Sequence, residues 1–88
     1  MSHEINAKIA GVFMYPEGKQ PLKDMKEGDA FAFHPEPENQ HDPNAIALLI
    51  GSVKVGYVPR AWAALLQSKT ILSIQKTETW DGIKITFE

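Results

Sequence analysis

Residues 45–58, which read AIALLIGSVKVGYV, determine the fold that this sequence predicts. Every position from Ala45 to Ile50 is apolar, which is typical of a strand buried on both faces. Gly51 and Ser52 suit a two-residue hairpin turn, so Val53 to Val58 is expected to form the partner strand. The centre of the chain therefore predicts an antiparallel hairpin.

Strand-like patterns continue on both sides of this hairpin. Apolar and polar residues alternate from Ile5, and this strand is expected to run on through Tyr15. The stretch from Asp29 to His34 alternates again and predicts a second upstream strand. A last hairpin is predicted from Ile71 to Phe87, with a type I′ turn at Asp81-Gly82.

Helix-like patterns are few. One helix is predicted from Arg60 to about Gln67, with an apolar stripe formed by Trp62, Leu65 and Leu66. A single helical turn is expected between Leu22 and Gly28. The chain thus predicts about six strands and one α-helix. This mainly β pattern suits a six-stranded small barrel or a strongly curved sheet, with the helix covering an opening.

The composition limits the size and class of the protein. Its 88 residues suffice for one domain, 1–88, with a small core. The absence of cysteine excludes disulfides, thiolate metal sites and cysteine nucleophiles. The formal net charge of −2 lacks the basic excess typical of indiscriminate nucleic-acid binders. Neither a signal peptide nor a membrane-spanning run is visible, so we expect a cytoplasmic protein without membrane contacts.

Two stretches together resemble a known family. Residues 36–46, EPENQHDPNAI, are followed by residues 55–60, VGYVPR, and this pair resembles the HIRAN domain. The resemblance extends from about Ile9 to Leu72. It implies an OB-like β-barrel and a free-standing domain of the bacterial or phage type.

The resemblance also implies a function, which is recognition of single-stranded DNA 3′ ends in DNA repair or replication. The family's residues then map onto Asp42 as acceptor for the terminal 3′-hydroxyl, His41 as the adjoining ring, and Arg60 as a phosphate contact. Tyr15 and Tyr57 are further candidates for stacking against bases. The chain departs from the eukaryotic relatives at Phe13-Met14, where they have an arginine followed by an aromatic residue.

The chemistry of these residue types is compatible with that role. A carboxylate accepts a hydrogen bond from a free hydroxyl but repels a 3′-phosphate, so Asp42 can distinguish the two ends. Aromatic rings stack on bases of any sequence, and an arginine fork suits a phosphate.

Each candidate also has a structural interpretation. Asp42 precedes Pro43-Asn44 and can close a turn on its own backbone. Arg60 is equally consistent with a solvated surface arginine, and both tyrosines with half-buried core positions. His34 and His41, with two glutamates between them, match no zinc spacing, so no metal or cofactor is expected.

The sequence contains no recognisable enzyme signature, so we expect a binding module and not an enzyme. A protein-interaction adaptor without DNA affinity of its own is the alternative. A positive groove at Arg60, Lys54 and Lys8 would favour DNA, whereas a flat apolar patch would favour a protein partner in DNA metabolism.

Overall fold

A computed structural model describes the whole chain, residues 1–88. Its six strands form two antiparallel sheets of three strands each, in the orders β1-β6-β5 and β2-β3-β4. Two short α-helices and two 3₁₀ turns connect them. The elements are β1 (His3–Lys8), the 3₁₀ turns Val12–Met14 and Pro16–Gly18, α1 (Lys19–Asp24), β2 (Ala32–Pro35), β3 (Ile46–Ile50), β4 (Val53–Tyr57), α2 (Arg60–Leu66), β5 (Ile71–Lys76) and β6 (Gly82–Phe87). The mainly β fold class is confirmed.

Single backbone bridges join the two sheets at both edges. Ala10, just after β1, pairs with Tyr57 at the end of β4, through hydrogen bonds of 2.8 and 2.9 Å. Ala30, just before β2, pairs with Gln75 in β5. The result is an OB-like curved arrangement in which the two sheets touch at their edges without merging into one closed barrel.

The core lies between the two sheets. Leu48 and Val55 from one sheet meet Ile74, Ile83 and Ile85 from the other, and all five are essentially inaccessible to solvent. Each fully buried side chain of this size contributes about 1.5–3 kcal/mol. The consecutive burial at the start of β3 confirms the strand predicted to be covered on both faces.

The first strand is shorter than predicted. It ends at Lys8, and Gly11 adopts a left-handed φ of 70°, which turns the chain into the 3₁₀ helix Val12–Met14. Only Val12 of that turn is buried, while Phe13 and Met14 are each 76% exposed. The predicted strand through Tyr15 is therefore wrong, because a left-handed glycine interrupts the alternation.

The helices also differ in detail from the prediction. The α-helix α1 occupies Lys19–Asp24, so the helical segment begins and ends earlier than the single turn predicted between Leu22 and Gly28. In α2 the buried residues are Ala63 and Leu66, whereas Leu65 is 46% exposed. The predicted stripe is thus wrong at Leu65, because Ala63 and Leu66, which are three residues apart, form the helix face that packs on the core.

The β5–β6 connection is a five-residue loop, Thr77–Asp81, and not a type I′ turn at Asp81-Gly82. Gly82 begins β6 without a positive φ. A Cβ at this position would clash with the hydroxyls of Thr77 and Thr79, so the glycine permits close packing of the loop. The ammonium of buried Lys76 donates to the carbonyls of the same two threonines and holds the loop in place.

Neither helix has the length and apolar character that crossing a bilayer requires.

Candidate nucleic-acid interface

The five residues singled out in the sequence converge on one surface groove of about 510 Å³. The groove lies where the 36–45 loop, the 3₁₀ turn after β1, the end of β4 and the start of α2 meet. Its lining includes all five candidates, which are Tyr15, His41, Asp42, Tyr57 and Arg60.

Asn39 organises the loop that forms one wall. Its Oδ1 accepts hydrogen bonds from the backbone N–H groups of His41 (2.8 Å) and Asp42 (3.0 Å), and its Nδ2 donates to Glu36 at 3.0 Å. Asp42 in turn uses Oδ1 to accept from the Asn44 N–H at 3.0 Å. The turn-closing interpretation of Asp42 is therefore confirmed. These side-chain contacts fix a proline-rich loop that has no strand partner.

The second carboxylate oxygen of Asp42 faces Arg60. The distance from Oδ2 to the arginine Nε is 3.6 Å, and the arginine Nη2 donates to the His41 carbonyl at 2.7 Å. The Asp42 side chain is only 19% exposed, whereas that of Arg60 is 76% exposed. Arg60 is thus held across the loop, with most of its surface still open to solvent.

A polar cluster joins both tyrosines at the opposite wall. The Tyr57 hydroxyl accepts hydrogen bonds from Tyr15 (3.3 Å) and Lys54 (3.1 Å), and it donates to Glu36 Oε1 at 2.9 Å. Lys54 also pairs with Glu36 Oε2 at 2.9 Å. The two rings lie 6.0 Å apart at 60°, and the Lys54 ammonium sits 5.1 Å from the Tyr57 ring centroid. Both tyrosines are half-buried, so neither is simply core or simply surface.

This cluster keeps fixed charges at neutral pH. Partial burial works to raise the pKa of Glu36, but hydrogen bonds from Lys54, Asn39 and Tyr57 outweigh it and lower that pKa below its ordinary value. Hydrogen bonds to Glu36 and Tyr57 raise the pKa of Lys54 above its usual range. Burial, together with the hydrogen bond that Tyr57 donates to the negatively charged Glu36, raises the pKa of Tyr57 to about 12. The ion pair is thus charged and the phenol neutral near pH 7.

The charge of the groove is balanced and not positive. The two salt bridges of the structure pair Arg60 with Asp42 and Lys54 with Glu36. Lys8 lies elsewhere, beside a separate cavity near Thr77. No three histidine, aspartate or glutamate side chains are grouped closely enough to hold a metal ion.

Sequence reasoning missed the structural roles of two residues, Asn39 and Lys54. Asn39 belongs to the 36–46 stretch that carries the family resemblance but was assigned no role, and it makes three of the loop's hydrogen bonds. Met14, at which the sequence departs from the family pattern, is exposed at the groove. Lys54 had been considered only as a source of positive charge, whereas it anchors the tyrosine cluster.

Two packed three-stranded sheets with an open groove at their junction define a small OB-like binding domain. The family model for the HIRAN domain matches residues 3–74, which is most of the chain. The chain therefore belongs to the HIRAN domain family, whose members are known as nucleic-acid-binding modules. No curated protein matches the sequence.

Two solved structures share the fold. The crystal structure of the HIRAN domain of human HLTF aligns with a TM-score of 0.74 at 17% identity, covering 98% of this chain and 78% of that one. A protein from Lactobacillus plantarum aligns with a TM-score of 0.68 at 19% identity, covering 99% and 95%. At these identities the likeness concerns the fold alone.

Proposed function

We propose that this protein is a non-enzymatic module that binds the 3′ end of single-stranded DNA in the groove, in the context of DNA repair or replication. The observation that carries the proposal is the placement of a carboxylate oxygen, Asp42 Oδ2, beside a largely exposed Arg60 at the groove. A terminal nucleotide offers the two matching groups, a hydroxyl donor and a phosphate acceptor.

The carboxylate supplies the discrimination between ends. An ionised carboxylate accepts hydrogen bonds and repels anions, so it favours a 3′-hydroxyl and disfavours a 3′-phosphate. The rings of His41, Tyr15 and Tyr57 offer flat surfaces beside it, and a base stacked on an aromatic ring gains about 1–3 kcal/mol. Neither contact reads a particular base, so the proposed binding is independent of sequence.

The balanced charge of the groove predicts weak binding. Most affinity for nucleic acid comes from cations that neutralise phosphates and release counterions. Here Lys54 is already paired with Glu36, which leaves Arg60 as the one cation of the groove with an open surface. The same balance is the observation that favours a protein-interaction adaptor as the second candidate function.

The deciding experiment is fluorescence anisotropy at low salt, with labelled oligonucleotides that differ only in a 3′-hydroxyl or a 3′-phosphate. We expect tighter binding of the hydroxyl end. Asp42→Asn should retain the fold, because asparagine can still close the turn, and should narrow the difference between the two ends. Glu38→Gln is the matched control, since it removes the same charge from an exposed position of the same loop.

Two results would contradict the proposal. Equal binding of 3′-hydroxyl, 3′-phosphate and internal single strand would remove Asp42 from end recognition. If no oligonucleotide binds at low salt, the adaptor is the better interpretation. A thermal melt of each variant, measured on the same preparation, separates these outcomes from simple misfolding.

A further inference from the structure

A second surface lies next to the groove and has a different character. It comprises Phe13, Trp80, Lys19 and Lys23 around a shallow cavity of about 220 Å³ whose floor is Val12, and we call these four residues the aromatic–lysine patch. Phe13 is 76% exposed and Trp80 is 51% exposed. Their ring centroids are 6.3 Å apart at an angle of 57°.

The fold holds these rings outward through two separate segments. Phe13 sits on the 3₁₀ turn that follows the left-handed Gly11. Trp80 sits in the Thr77–Asp81 loop, which the buried Lys76 ammonium fastens through two backbone carbonyls. Two large aromatic side chains that stay in water do not contribute the stabilisation that their burial in the core would give. An exposed pair of this kind therefore indicates an interaction site.

The charges of the patch are unlike those of the groove. The ammonium of Lys19 lies 5.8 Å from the Phe13 ring centroid, and Lys23 follows one helical turn later on α1. Both salt bridges of the structure are elsewhere, so neither lysine is paired with a carboxylate. The patch therefore combines exposed rings with unpaired cations, which complements a ligand that carries flat apolar groups and negative charge.

We propose that the aromatic–lysine patch is a second stacking and phosphate-binding surface for single-stranded DNA, which takes nucleotides on the 5′ side of those held in the groove. This inference rests on the proposed function of the groove. The two surfaces are adjacent in the chain, because Met14 lines the groove and Phe13 lines the patch. A strand that leaves the groove past Met14 reaches rings for its bases and lysines for its phosphates.

A protein partner fits the patch less well. Lysine is depleted at the centres of protein–protein interfaces. A standard interface buries about 800 Å² on each partner, whereas this cavity has five lining residues, two of them lysines. Stacking of bases on aromatic rings beside cations is, in contrast, the usual arrangement of a single-strand binding surface.

The test uses Trp80 as its own reporter. The chain has two tryptophans, so Trp62→Phe leaves Trp80 as the only one, and a thermal melt checks that this variant folds. Titration with (dT)8 should quench Trp80 fluorescence, whereas (dT)3, which is long enough only for the groove, should not. In anisotropy, Trp80→Ala should weaken binding of (dT)8 about tenfold and leave (dT)3 unchanged.

Charge variants give an independent readout. The salt slope is the slope of log K for binding against the logarithm of salt concentration, and each phosphate contact in a single strand contributes about 0.7 to its magnitude. The double variant Lys19→Gln with Lys23→Gln should therefore lower the magnitude of this slope for (dT)8 by about 1.4. Lys8→Gln with Lys69→Gln is the matched control, since it removes the same charge from exposed positions outside the patch. The control pair should leave the slope unchanged.

Three results would overturn the proposal for the patch. The first is that no oligonucleotide quenches the fluorescence of Trp80. The second is that (dT)3 and (dT)8 bind with equal affinity and that Trp80→Ala leaves both affinities unchanged. The third is that an acidic aromatic polymer of glutamate and tyrosine quenches Trp80 whereas (dT)8 does not. The last would indicate a protein partner. If (dT)8 quenches Trp80 equally with a 3′-hydroxyl or a 3′-phosphate, the patch is supported while end recognition by the groove fails.

Discussion

Replacing Gly56 with alanine tests how much the stability of the fold depends on close packing at the backbone bridge between the two sheets. Gly56 has a φ of 155°, and a Cβ there would clash with the Ile9 side chain and lie 2.7 Å from the Ala10 carbonyl oxygen. That oxygen accepts one of the two hydrogen bonds that join Ala10 to Tyr57. A backbone conformation of this kind costs a non-glycine residue about 1–3 kcal/mol, and overpacking costs about 1–3 kcal/mol more.

We therefore expect Gly56→Ala to lower the free energy of unfolding by about 4 kcal/mol. For a domain of this size, each kcal/mol shifts the melting temperature by about 4–8 °C, so the melt should move by more than about 15 °C. Urea denaturation followed by circular dichroism measures the loss, and an unchanged m-value shows that the same transition is observed.

Two other glycines separate the two contributions. Gly51 has a φ of 61° with no neighbour within 4 Å, so Gly51→Ala should cost about 1–2 kcal/mol from the backbone alone. Gly18 has an ordinary φ of −85°, but a Cβ there would lie 2.8 Å from Val55 Cγ1, so Gly18→Ala should cost about 1–3 kcal/mol from overpacking alone. The reasoning is refuted if Gly56→Ala is no more destabilising than Gly51→Ala.

Four further substitutions test other contacts. The pKa of Glu36 is lower in the folded state than the unfolded value of 4.5, so its ionised carboxylate stabilises the fold above that value. This contribution is lost as the pH falls through the folded pKa, and the melting temperature of Glu36→Gln should therefore fall less on acidification than that of wild type. The pKa of Tyr57 is raised from 10.0 to about 12, so the stability that its neutral phenol provides is lost as the pH rises through that window. Tyr57→Phe should remove the part of the phenolate absorbance that titrates near pH 12. Lys76→Met leaves two carbonyls of the Thr77–Asp81 loop without their ammonium donor and should lower stability by about 2 kcal/mol in urea denaturation, whereas a loss below about 0.5 kcal/mol would show that the loop does not depend on it. Arg60→Ala should change stability by less than about 0.5 kcal/mol, since the side chain is mostly exposed, yet lower the salt slope of DNA binding by about 0.7; an unchanged slope would show that Arg60 does not contact phosphate.

The strands were predictable where burial repeats along the chain. The apolar run of β3 and the alternation in β6 leave little choice, because a shift of one residue would expose the buried set. The hairpin turn at Gly51-Ser52 was equally readable, and its first residue does adopt a left-handed conformation. These features are local, and they carry enough information to give the fold class.

Glycine was the least readable residue. Gly82 follows an aspartate and predicts a turn, yet it serves as a small residue under close packing, with no positive φ. Gly11 lies in a stretch that predicts a continuous strand through Tyr15, yet its left-handed φ turns the chain into a 3₁₀ helix. A sequence does not distinguish a glycine needed for its φ from one needed for its size, because the difference depends on which distant residue packs against it.

The candidate site was predictable only through the family resemblance, and only in part. Lys54 and Tyr57 are three residues apart and would point to opposite faces of a regular strand. They share a face because β4 contains an irregularity, in which the partner of Lys54 is Leu49 and the partner of Gly56 is already Leu48. A regular alternation of strand faces does not predict this extra residue. The cluster of Tyr15, Tyr57, Lys54 and Glu36 was therefore not predicted from the sequence.

Asp42 and Arg60 have partners before any ligand arrives, and this has a kinetic consequence. One carboxylate oxygen of Asp42 accepts the hydrogen bond that closes the turn, and the other pairs with Arg60, which also donates to the His41 carbonyl. A ligand with a hydroxyl and a phosphate would exchange these partners and add few new ones. Such an exchange yields selectivity with a small net gain in free energy, and weak complexes of this kind dissociate quickly. Under the proposed function, a groove built in this way would bind many strand ends in succession, each for a short time.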